Sequence, residues 1–357
     1  MVKLKRILLF CFAAMLLLVM ITSAQETPTE VARAGSTGGG MIGRGVTRIV
    51  VMSPADLEGA DRAVAPEGFD VQRNGVEQGK IEKVEYDSKT LGIKRDMLVY
   101  TPPGYSKDKK YPVLFLLHGY GNNYYEWLRM ESANIILENL IADKKIEPMV
   151  VVMPSCDATV AAGQSVDMFS GRRGAGIMGG IGARGDDNSV GRSGAAGRGV
   201  GMGGRRGRDT AENDWGGYGK LFENDLLKDI IPYIESQYSV YTDREHRAIA
   251  GLSMGGGQAL DFGVGNLDTF AWIGGFSSAP NLKQAKELIS NPEEAIKKIK
   301  LLWVSCGDQD GLMTGSLNFH NALKEMKIPH IWHIDTGGHQ APVWRNDLYL
   351  FSQKLFR

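Results

Sequence analysis

A serine between glycines is the first feature of this sequence with the makings of a reactive site. The motif Gly-Leu-Ser-Met-Gly at residues 251–255 follows an apolar stretch, 248–250, and precedes a helical pattern at 258–260. This is the strand–turn–helix setting of a nucleophile elbow, in which small residues allow a tight turn and the serine hydroxyl stands clear of the sheet. The pattern predicts that Ser253 is a nucleophile. The alternative is a glycine-rich turn that carries an idle serine.

A serine hydroxyl needs a base that takes its proton, and the chain contains six histidines. His339 follows the last predicted strand in a Thr-Gly-Gly-His turn. Open α/β sheets place their sites at the carboxyl ends of the strands, so His339 is the predicted base. The other histidines are expected to shape a loop, to lie at the far end of the elbow strand, or to lie in or beside a helix or strand: His118, His246, His320, His330 and His333.

The acid that orients the histidine should follow another strand. Residues 301–306 are predicted to form one, and Asp308 and Asp310 come directly after it. Asp308 is placed to cap the turn, whereas Asp310 lies beside Gly311, where the chain can fold back over the sheet edge. Both aspartates are candidates on this reasoning. The order serine, aspartate, histidine along the chain is the order found in α/β-hydrolases.

Acyl transfer also requires backbone N–H groups at the point where negative charge develops. We expect one from Met254 and the second from Tyr120, in the His-Gly-Tyr-Gly loop after the predicted strand 113–117. Gly121 allows this loop to turn, and we place Gly121 and Trp127 at the substrate. The aromatic cluster to which Trp127 belongs, with Tyr124 and Tyr125, either lines an acyl pocket or packs the start of a helix.

Strands and helices alternate along the rest of the chain. Short, continuous apolar runs are typical of strands that are buried on both faces. The alternation predicts an α/β fold with a mostly parallel sheet. The predicted strands are 81–86, 95–101, 113–117, 149–153, 247–250, 272–275, 301–304 and 331–334, and the predicted helices are 133–143, 222–238, 254–262 and one at the C-terminus.

The N-terminal region is predicted to lie outside the folded domain. Residues 1–24 combine a basic start, an apolar run and small residues before a cleavage point, as a secretory signal peptide does. The alternative is a membrane anchor, but the apolar run of about 15 residues is shorter than the ~20 that span a bilayer. Residues 25–74 are predicted to be a flexible leader and 75–357 the folded domain. We therefore expect a secreted or periplasmic protein without stable membrane insertion after cleavage.

A long glycine- and arginine-rich segment interrupts the predicted domain at about 157–212, most densely at 171–207. Few apolar side chains and many glycines cannot repay the entropy of ordering, so we predict a disordered surface insertion. The alternative is an RGG-like nucleic-acid-binding segment, but the interleaved aromatic residues of such segments are absent from it.

Composition narrows the classes of function. The chain has 41 acidic and 41 basic residues, and this balance argues against nucleic acid as a partner. No Cys/His spacing resembles a metal site, and no cofactor is implied. Of three cysteines, one lies in the predicted signal peptide. Cys156 and Cys306 are expected to be buried free thiols rather than a disulfide.

Four stretches together resemble the esterase D-type carbohydrate esterases, the feruloyl and acetylxylan esterases of carbohydrate esterase family 1. They are Tyr111–Trp127, Asn224–Gly257, Cys306–Met313 and Gly337–Trp344. The resemblance implies an α/β-hydrolase fold, with Ser253 as nucleophile, His339 as base and Asp310 as acid. It also implies that the amides of Tyr120 and Met254 bind the oxyanion. The chain departs from the family pattern in the long insertion and in Gln340, directly after the histidine.

From these features we expect a serine esterase that removes feruloyl or acetyl groups from plant cell-wall polysaccharide through an acyl-enzyme. Its partner would be a small-molecule or polysaccharide ester. The same fold also supports hydrolysis of siderophore esters and acyl transfer to sugars, because a triad does not reveal the acyl group. A different class remains as well, a non-catalytic carbohydrate-binding protein on an esterase scaffold.

Overall fold

The structure, a computed structural model, describes residues 52–53, 56–164, 218–278 and 283–357. Eight strands of these residues form one sheet. The strands are β1 (Lys80–Ser88), β2 (Ile93–Thr101), β3 (Val113–Leu117), β4 (Val150–Pro154), β5 (Arg247–Leu252), β6 (Trp272–Phe276), β7 (Leu301–Gly307) and β8 (Ile331–Asp335). Their order across the sheet is β1-β2-β4-β3-β5-β6-β7-β8.

The sheet is mostly parallel, and the predicted α/β fold is confirmed. β1 and β2 form an antiparallel hairpin, β2 pairs antiparallel with β4, and every pair from β4 to β8 is parallel. Every residue of β3, β4, β5 and β6 is buried, as the continuous apolar runs of these strands require. β1 instead alternates between exposed and buried positions over most of its length, because it lies at the sheet edge.

Helices cover both faces of the sheet. They are α1 (Glu126–Arg129), α2 (Ala133–Ala142), α3 (Lys220–Asp225), α4 (Ile231–Gln237), α5 (Ser253–Gly265), α6 (Ala285–Leu288), α7 (Pro292–Lys298), α8 (Met313–Glu325) and α9 (Ala341–Ser352), with a π-helical turn at Leu226–Ile230 and a 3₁₀ turn at Arg244–His246. One core contains apolar residues of α3 to α8, and the other contains those of α1, α2 and α9. Within the described ranges, no helix is long and apolar enough to cross a membrane.

Residues 56–74, which we assigned to a flexible leader, pack against the domain. The Asp61 N–H donates to the Trp332 carbonyl at 2.8 Å, and the Ile334 N–H donates to the Asp61 carbonyl at 2.9 Å. These bonds use the outer edge of β8, which is the last strand of the sheet formed by the described residues. The flexible leader therefore does not extend to residue 74. The predicted signal peptide and the rest of the leader, 1–51, lie outside the described residues.

The predicted insertion at 157–212 is described only at its start. The Ala162 N–H donates to the Lys94 carbonyl at 2.8 Å, so residues 157–164 pack against β2. The folded domain therefore extends to at least residue 164, beyond the boundary of about 157 that we expected. Residues 165–217 lie outside the described residues.

Cys156 and Cys306 are buried free thiols. Burial raises the pKa of both thiols well above the usual value. Because the thiolate is the reactive form, neither side chain is suited to nucleophilic chemistry.

Candidate active site

Three polar side chains meet at the carboxyl edge of the parallel sheet. Ser253 begins α5 directly after β5, Asp310 lies in the loop after β7, and His339 lies in the loop after β8. His339 Nε2 is 2.9 Å from Ser253 Oγ, and His339 Nδ1 is 2.8 Å from Asp310 Oδ2. The structure thus brings together the serine, the histidine and one of the two aspartates that the sequence singled out.

The backbone at Ser253 has the strained conformation of a nucleophile elbow. Its φ of 53° lies in the left-handed region, which a residue with a side chain rarely adopts. The flanking glycines are required by space, because a Cβ at Gly251 would lie 2.4 Å from the Gly255 carbonyl oxygen. A Cβ at Gly255 would lie 2.4 Å from the Leu117 carbonyl oxygen. The turn therefore forms only with these glycines, and it places the hydroxyl at the edge of the sheet.

The Asp310 carboxylate is buried but well supplied with donors. Burial alone would raise its pKa, but the hydrogen bond with His339 and the one from the Leu312 N–H outweigh that effect, so the pKa lies below the usual value. An ionised Asp310 accepts a hydrogen bond from the His339 Nδ1–H, so Nε2 remains the acceptor that faces the Ser253 hydroxyl. The Trp344 ring packs edge-on against the histidine, with 4.8 Å between ring centroids.

Asp308 contacts the histidine loop rather than the histidine ring. Its Oδ1 accepts a hydrogen bond from the Gly337 N–H at 2.9 Å, and the Gln309 N–H donates to the Gly337 carbonyl at 2.8 Å. Asp308 therefore joins the loop after β7 to the loop after β8. We expected it to cap its own turn, but the partner it finds belongs to the neighbouring loop.

The other side of Ser253 is formed by the loop after β3, here called the oxyanion loop (residues 118–122). A Cβ built at Gly119 would lie 3.5 Å from the Cβ of Ser253, so this loop directly adjoins Ser253. Gly121 has a φ of 75°, which suits the turn that we predicted for it. Met254 is the second residue of α5, and N–H groups in the first turn of a helix have no intrahelical acceptor.

His118 fixes the path of the oxyanion loop and is not a base. Its Nε2 accepts a hydrogen bond from the Cys156 N–H at 2.9 Å, so the proton resides on Nδ1, which donates to the Gly119 carbonyl at 2.8 Å. Burial lowers the pKa of His118 to about 4. The ring is therefore neutral near pH 7 and joins the ends of β3 and β4.

The remaining histidines lie away from Ser253, in agreement with their sequence positions. His246 bonds to Asp243 before β5, at the opposite end of the sheet. His320 on α8 bonds to His330 at 2.8 Å, and His333 lies within β8.

Trp127 does not contact the site, and the expectation that it binds substrate is wrong. Its side chain is fully buried, and its Nε1–H donates to the Leu117 carbonyl at 2.9 Å. The ring packs against Phe276, with 6.2 Å between ring centroids. Tyr124 is buried too, and its hydroxyl bonds to Asp96. Both aromatic residues pack α1 onto the sheet, which is the alternative that the sequence left open.

Sequence reasoning missed Tyr218, whose ring packs beside Tyr120 of the oxyanion loop. The Tyr218 and Tyr120 rings are 5.4 Å apart at their centroids, and Tyr120 is 46% exposed. Gln258 on α5 fixes Tyr218 by donating to its carbonyl at 2.6 Å. Tyr218 follows the glycine-rich segment without any periodic pattern, so the sequence offers no signal for its position.

Among the residues that the structure describes, no group of three or more histidines, cysteines or acidic residues is arranged to hold a metal ion. The Ser253–His339–Asp310 arrangement has the geometry that a nucleophile, its base and an orienting acid require. Such an arrangement supports acyl transfer.

The chain is similar to a bifunctional enzyme of Xylanibacter ruminicola, an endo-1,4-beta-xylanase/feruloyl esterase. The two are 29% identical over 295 residues, which cover 81% of this chain and 33% of the relative. The chain thus spans about a third of the length of this curated relative.

Solved structures of esterases share the fold. A CE1 ferulic acid esterase of Anaeromyces mucronatus has a TM-score of 0.61 at 24% identity, and the superposition covers 83% of this chain and 98% of that enzyme. An S-formylglutathione hydrolase of Staphylococcus aureus has a TM-score of 0.53 at 18% identity, and the superposition covers 79% of this chain and 100% of that hydrolase. The predicted α/β-hydrolase fold and the resemblance to carbohydrate esterase family 1 are confirmed.

The family model described as "Putative esterase" matches residues 88–172 and 199–351. These ranges make up more than half of the chain and include the turn at Ser253 and both loops that carry Asp310 and His339. The chain therefore belongs to the putative esterase family.

Proposed function

We propose that the protein is a serine carboxylic-ester hydrolase that works through an acyl-enzyme. The observation that carries the proposal is the continuous hydrogen-bonded chain from Ser253 Oγ through the His339 ring to Asp310 Oδ2, at 2.9 and 2.8 Å. A non-catalytic binding protein has no use for this chain of contacts at a strained elbow. An esterase requires each part of it.

In the first half of the reaction, Ser253 Oγ attacks the ester carbonyl carbon while its proton passes to His339 Nε2. The carbonyl electron pair moves onto oxygen, and the Tyr120 and Met254 N–H groups stabilise the resulting oxyanion. When the tetrahedral intermediate collapses, the bond to the alcohol oxygen breaks, and His339 donates the proton that it took from Ser253 to that oxygen. Asp310 stabilises the imidazolium and keeps the ring in one tautomer.

In the second half, water takes the place of the alcohol. His339 Nε2 accepts a proton from the water as its oxygen attacks the acyl carbon, and the same two amides bind the second oxyanion. Collapse breaks the bond to Ser253 Oγ, which recovers its proton from His339. The products are the free acid and an unchanged enzyme.

For the acyl group we propose a feruloyl group on plant cell-wall polysaccharide, with acetyl as the smaller alternative. The name of the Xylanibacter relative combines xylanase with feruloyl esterase, and the Anaeromyces structure is that of a ferulic acid esterase. The Tyr120–Tyr218 pair adds an aromatic surface beside the oxyanion loop, which suits a planar aromatic acyl group. The signal-like N-terminus suits a secreted or periplasmic enzyme that meets such polymers.

A panel of three esters tests this proposal: methyl ferulate, acetylated xylan and a catecholate siderophore ester, compared by kcat/KM. We expect methyl ferulate to have the largest value and the Ser253→Ala variant to be inactive on all three. A larger value for the siderophore ester would overturn the substrate class. An absence of turnover on every ester, including a simple activated one, would overturn hydrolysis itself.

A further inference from the structure

We propose that Glu126 is a positioning residue, which holds the oxyanion loop at the distance from Ser253 that transition-state binding requires. The inference rests on the proposed function, because it assigns a role within the same ester hydrolysis. It concerns a residue that contacts the loop and not the substrate.

The Glu126 carboxylate contacts both ends of the loop. One oxygen, Oε2, accepts a hydrogen bond from the Gly119 N–H at 2.6 Å, and the other, Oε1, accepts one from the Asn122 side chain at 2.5 Å. Tyr120, the proposed oxyanion donor, lies between these two residues. A further bond, from the Asn122 N–H to the Gly119 carbonyl at 3.3 Å, closes the turn. The carboxylate therefore binds the peptide N–H before Tyr120 and the side chain of Asn122 after it.

The support for this carboxylate is rigid. Glu126 is 5% exposed and begins α1, and the next residue, Trp127, is fully buried with its indole N–H bonded to the carbonyl of Leu117. That carbonyl belongs to β3, the strand that leads into the oxyanion loop. The side chain thus reaches the loop from a helix that is anchored to the same strand. Hydrogen bonds to a carboxylate are shorter and stronger than those between neutral groups.

The position that Glu126 maintains is a close one. A Cβ at Gly119 would lie 2.9 Å from the Leu252 side chain and 3.5 Å from the Cβ of Ser253, so the loop passes directly beside the nucleophile. Without the bonds to Glu126, the loop loses two of the contacts that hold it there. Removal of one oxyanion donor typically lowers kcat by about 10²–10³-fold, so a partial displacement of the Tyr120 N–H should lower it by less.

Charge and position make opposite predictions for substitutions at Glu126. A negative carboxylate near the developing oxyanion opposes it electrostatically, so charge alone predicts that removal of the carboxylate speeds the reaction. Loss of positioning predicts a slower reaction for Glu126→Ala, because the substitution removes the carboxylate that holds the oxyanion loop. Glu126→Gln removes the charge but keeps an oxygen that can accept from the Gly119 N–H, and its NH2 can donate to the Asn122 side-chain oxygen once that amide turns over. The pair of variants therefore separates the two effects.

The experiment compares Glu126→Ala, Glu126→Gln and the matched control Glu131→Gln in the full chain, with p-nitrophenyl acetate near pH 7. Glu131 is a neighbouring carboxyl that is fully buried, makes no hydrogen bond with the described residues and has a pKa raised by burial to about 8. We expect Glu126→Ala to lower kcat by about 10- to 100-fold with KM within about threefold. Glu126→Gln should stay within about threefold of the parent in kcat, and Glu131→Gln within about twofold.

A second readout separates positioning from general damage to the fold. A trifluoromethyl ketone adds to the serine as a tetrahedral oxyanion, so its inhibition constant should rise in Glu126→Ala by about the factor by which kcat/KM falls. If Glu126→Ala does not fold, Asn122→Ala removes only one of the two contacts, and it should lower kcat by about three- to tenfold.

The inference is overturned if folded Glu126→Ala, or Asn122→Ala in its place, keeps kcat unchanged, or if Glu126→Gln loses as much as Glu126→Ala. Failure of the proposed function looks different, because the parent protein would then not hydrolyse the ester, or Ser253→Ala would remain active.

Discussion

The two sides of Ser253 are built in opposite ways. On the acid–base side, formed by the loops after β7 and β8, the proposed chemistry resides in the side chains of Asp310 and His339. On the oxyanion side, formed by the loop after β3 and the start of α5, it resides in the backbone N–H groups of Tyr120 and Met254. Backbone groups hold the side on which side chains react, and side chains hold the side on which backbone groups act.

Backbone bonds hold most of the acid–base side. The Gln309 N–H donates to the Gly337 carbonyl, and the Asp308 N–H donates to the Asp335 carbonyl at 2.8 Å. Gly307 allows this close approach, because a Cβ there would lie 2.3 Å from the Gly337 carbonyl oxygen. Side-chain substitutions that leave these backbone hydrogen bonds in place should therefore lower activity only when they remove Asp310 or His339.

Side chains hold the oxyanion side. Glu126 binds the Gly119 N–H, and His118 binds the Gly119 carbonyl together with the Cys156 N–H. Behind them, the buried Arg95 side chain donates to the carbonyls of Ser155 and Asp157. Substitutions on this side should therefore slow the reaction although no reacting side chain is lost.

The largest effect should come from Asp310→Asn on the acid–base side. The amide nitrogen of asparagine would face His339 Nδ1 and favour the wrong tautomer, which should lower kcat by about 10³–10⁴-fold. Steady-state kinetics on methyl ferulate, with circular dichroism to verify folding, measures this. A folded variant with near-normal kcat would remove Asp310 from the proposed triad.

An intermediate effect should come from His118→Ala on the oxyanion side. It leaves the buried Cys156 N–H without its partner, at a cost of about 1–3 kcal/mol, and leaves the Gly119 carbonyl with only the bond from the Asn122 N–H. We expect a lower melting temperature and a kcat reduced by about 10- to 100-fold, since the loop loses one of its holders. The matched control is His246→Ala, at the opposite end of the sheet, which should leave kcat unchanged. Equal kcat in both variants would contradict the contrast between the two sides.

The smallest effect should come from Asp308→Asn, two residues from the proposed acid. Asparagine retains an oxygen that can accept from the Gly337 N–H, and the backbone bonds between the loops remain. We therefore expect kcat within about tenfold of the parent. If this variant lost more activity than Asp310→Asn while both were folded, the roles of the two aspartates would be reversed.

The sequence predicts the acid–base side better than the oxyanion side for a physical reason. A reacting side chain must be of a particular residue type and must lie at a strand end. Ser253 and His339 can therefore be recognised from their motifs and from the alternation of predicted strands and helices. A residue that holds a backbone loop needs only a hydrogen-bonding atom within reach. Glu126 satisfies that need without any characteristic spacing, so the sequence does not reveal it. We instead assigned the neighbouring aromatic residue, Trp127, to the substrate.

The fold shows a similar division. Continuous apolar runs predict buried strands well, and β3 has the bounds 113–117 that its run indicated. Helix α7 was missed, although Asn291 before Pro292 is a start signal, and its side chain does accept from the Glu294 N–H. Packing of residues 56–74 was not predictable from local pattern, because it depends on the edge of β8, far along the chain.

The most direct test of the central claim is covalent labelling of the nucleophile, combined with its removal. A serine-directed phosphonate should add its mass to the peptide that contains Ser253, and Ser253→Ala should lose about 10⁴-fold or more of the esterase activity while it remains folded. Labelling of a different serine, with activity retained in Ser253→Ala, would contradict the proposed site and the mechanism built on it.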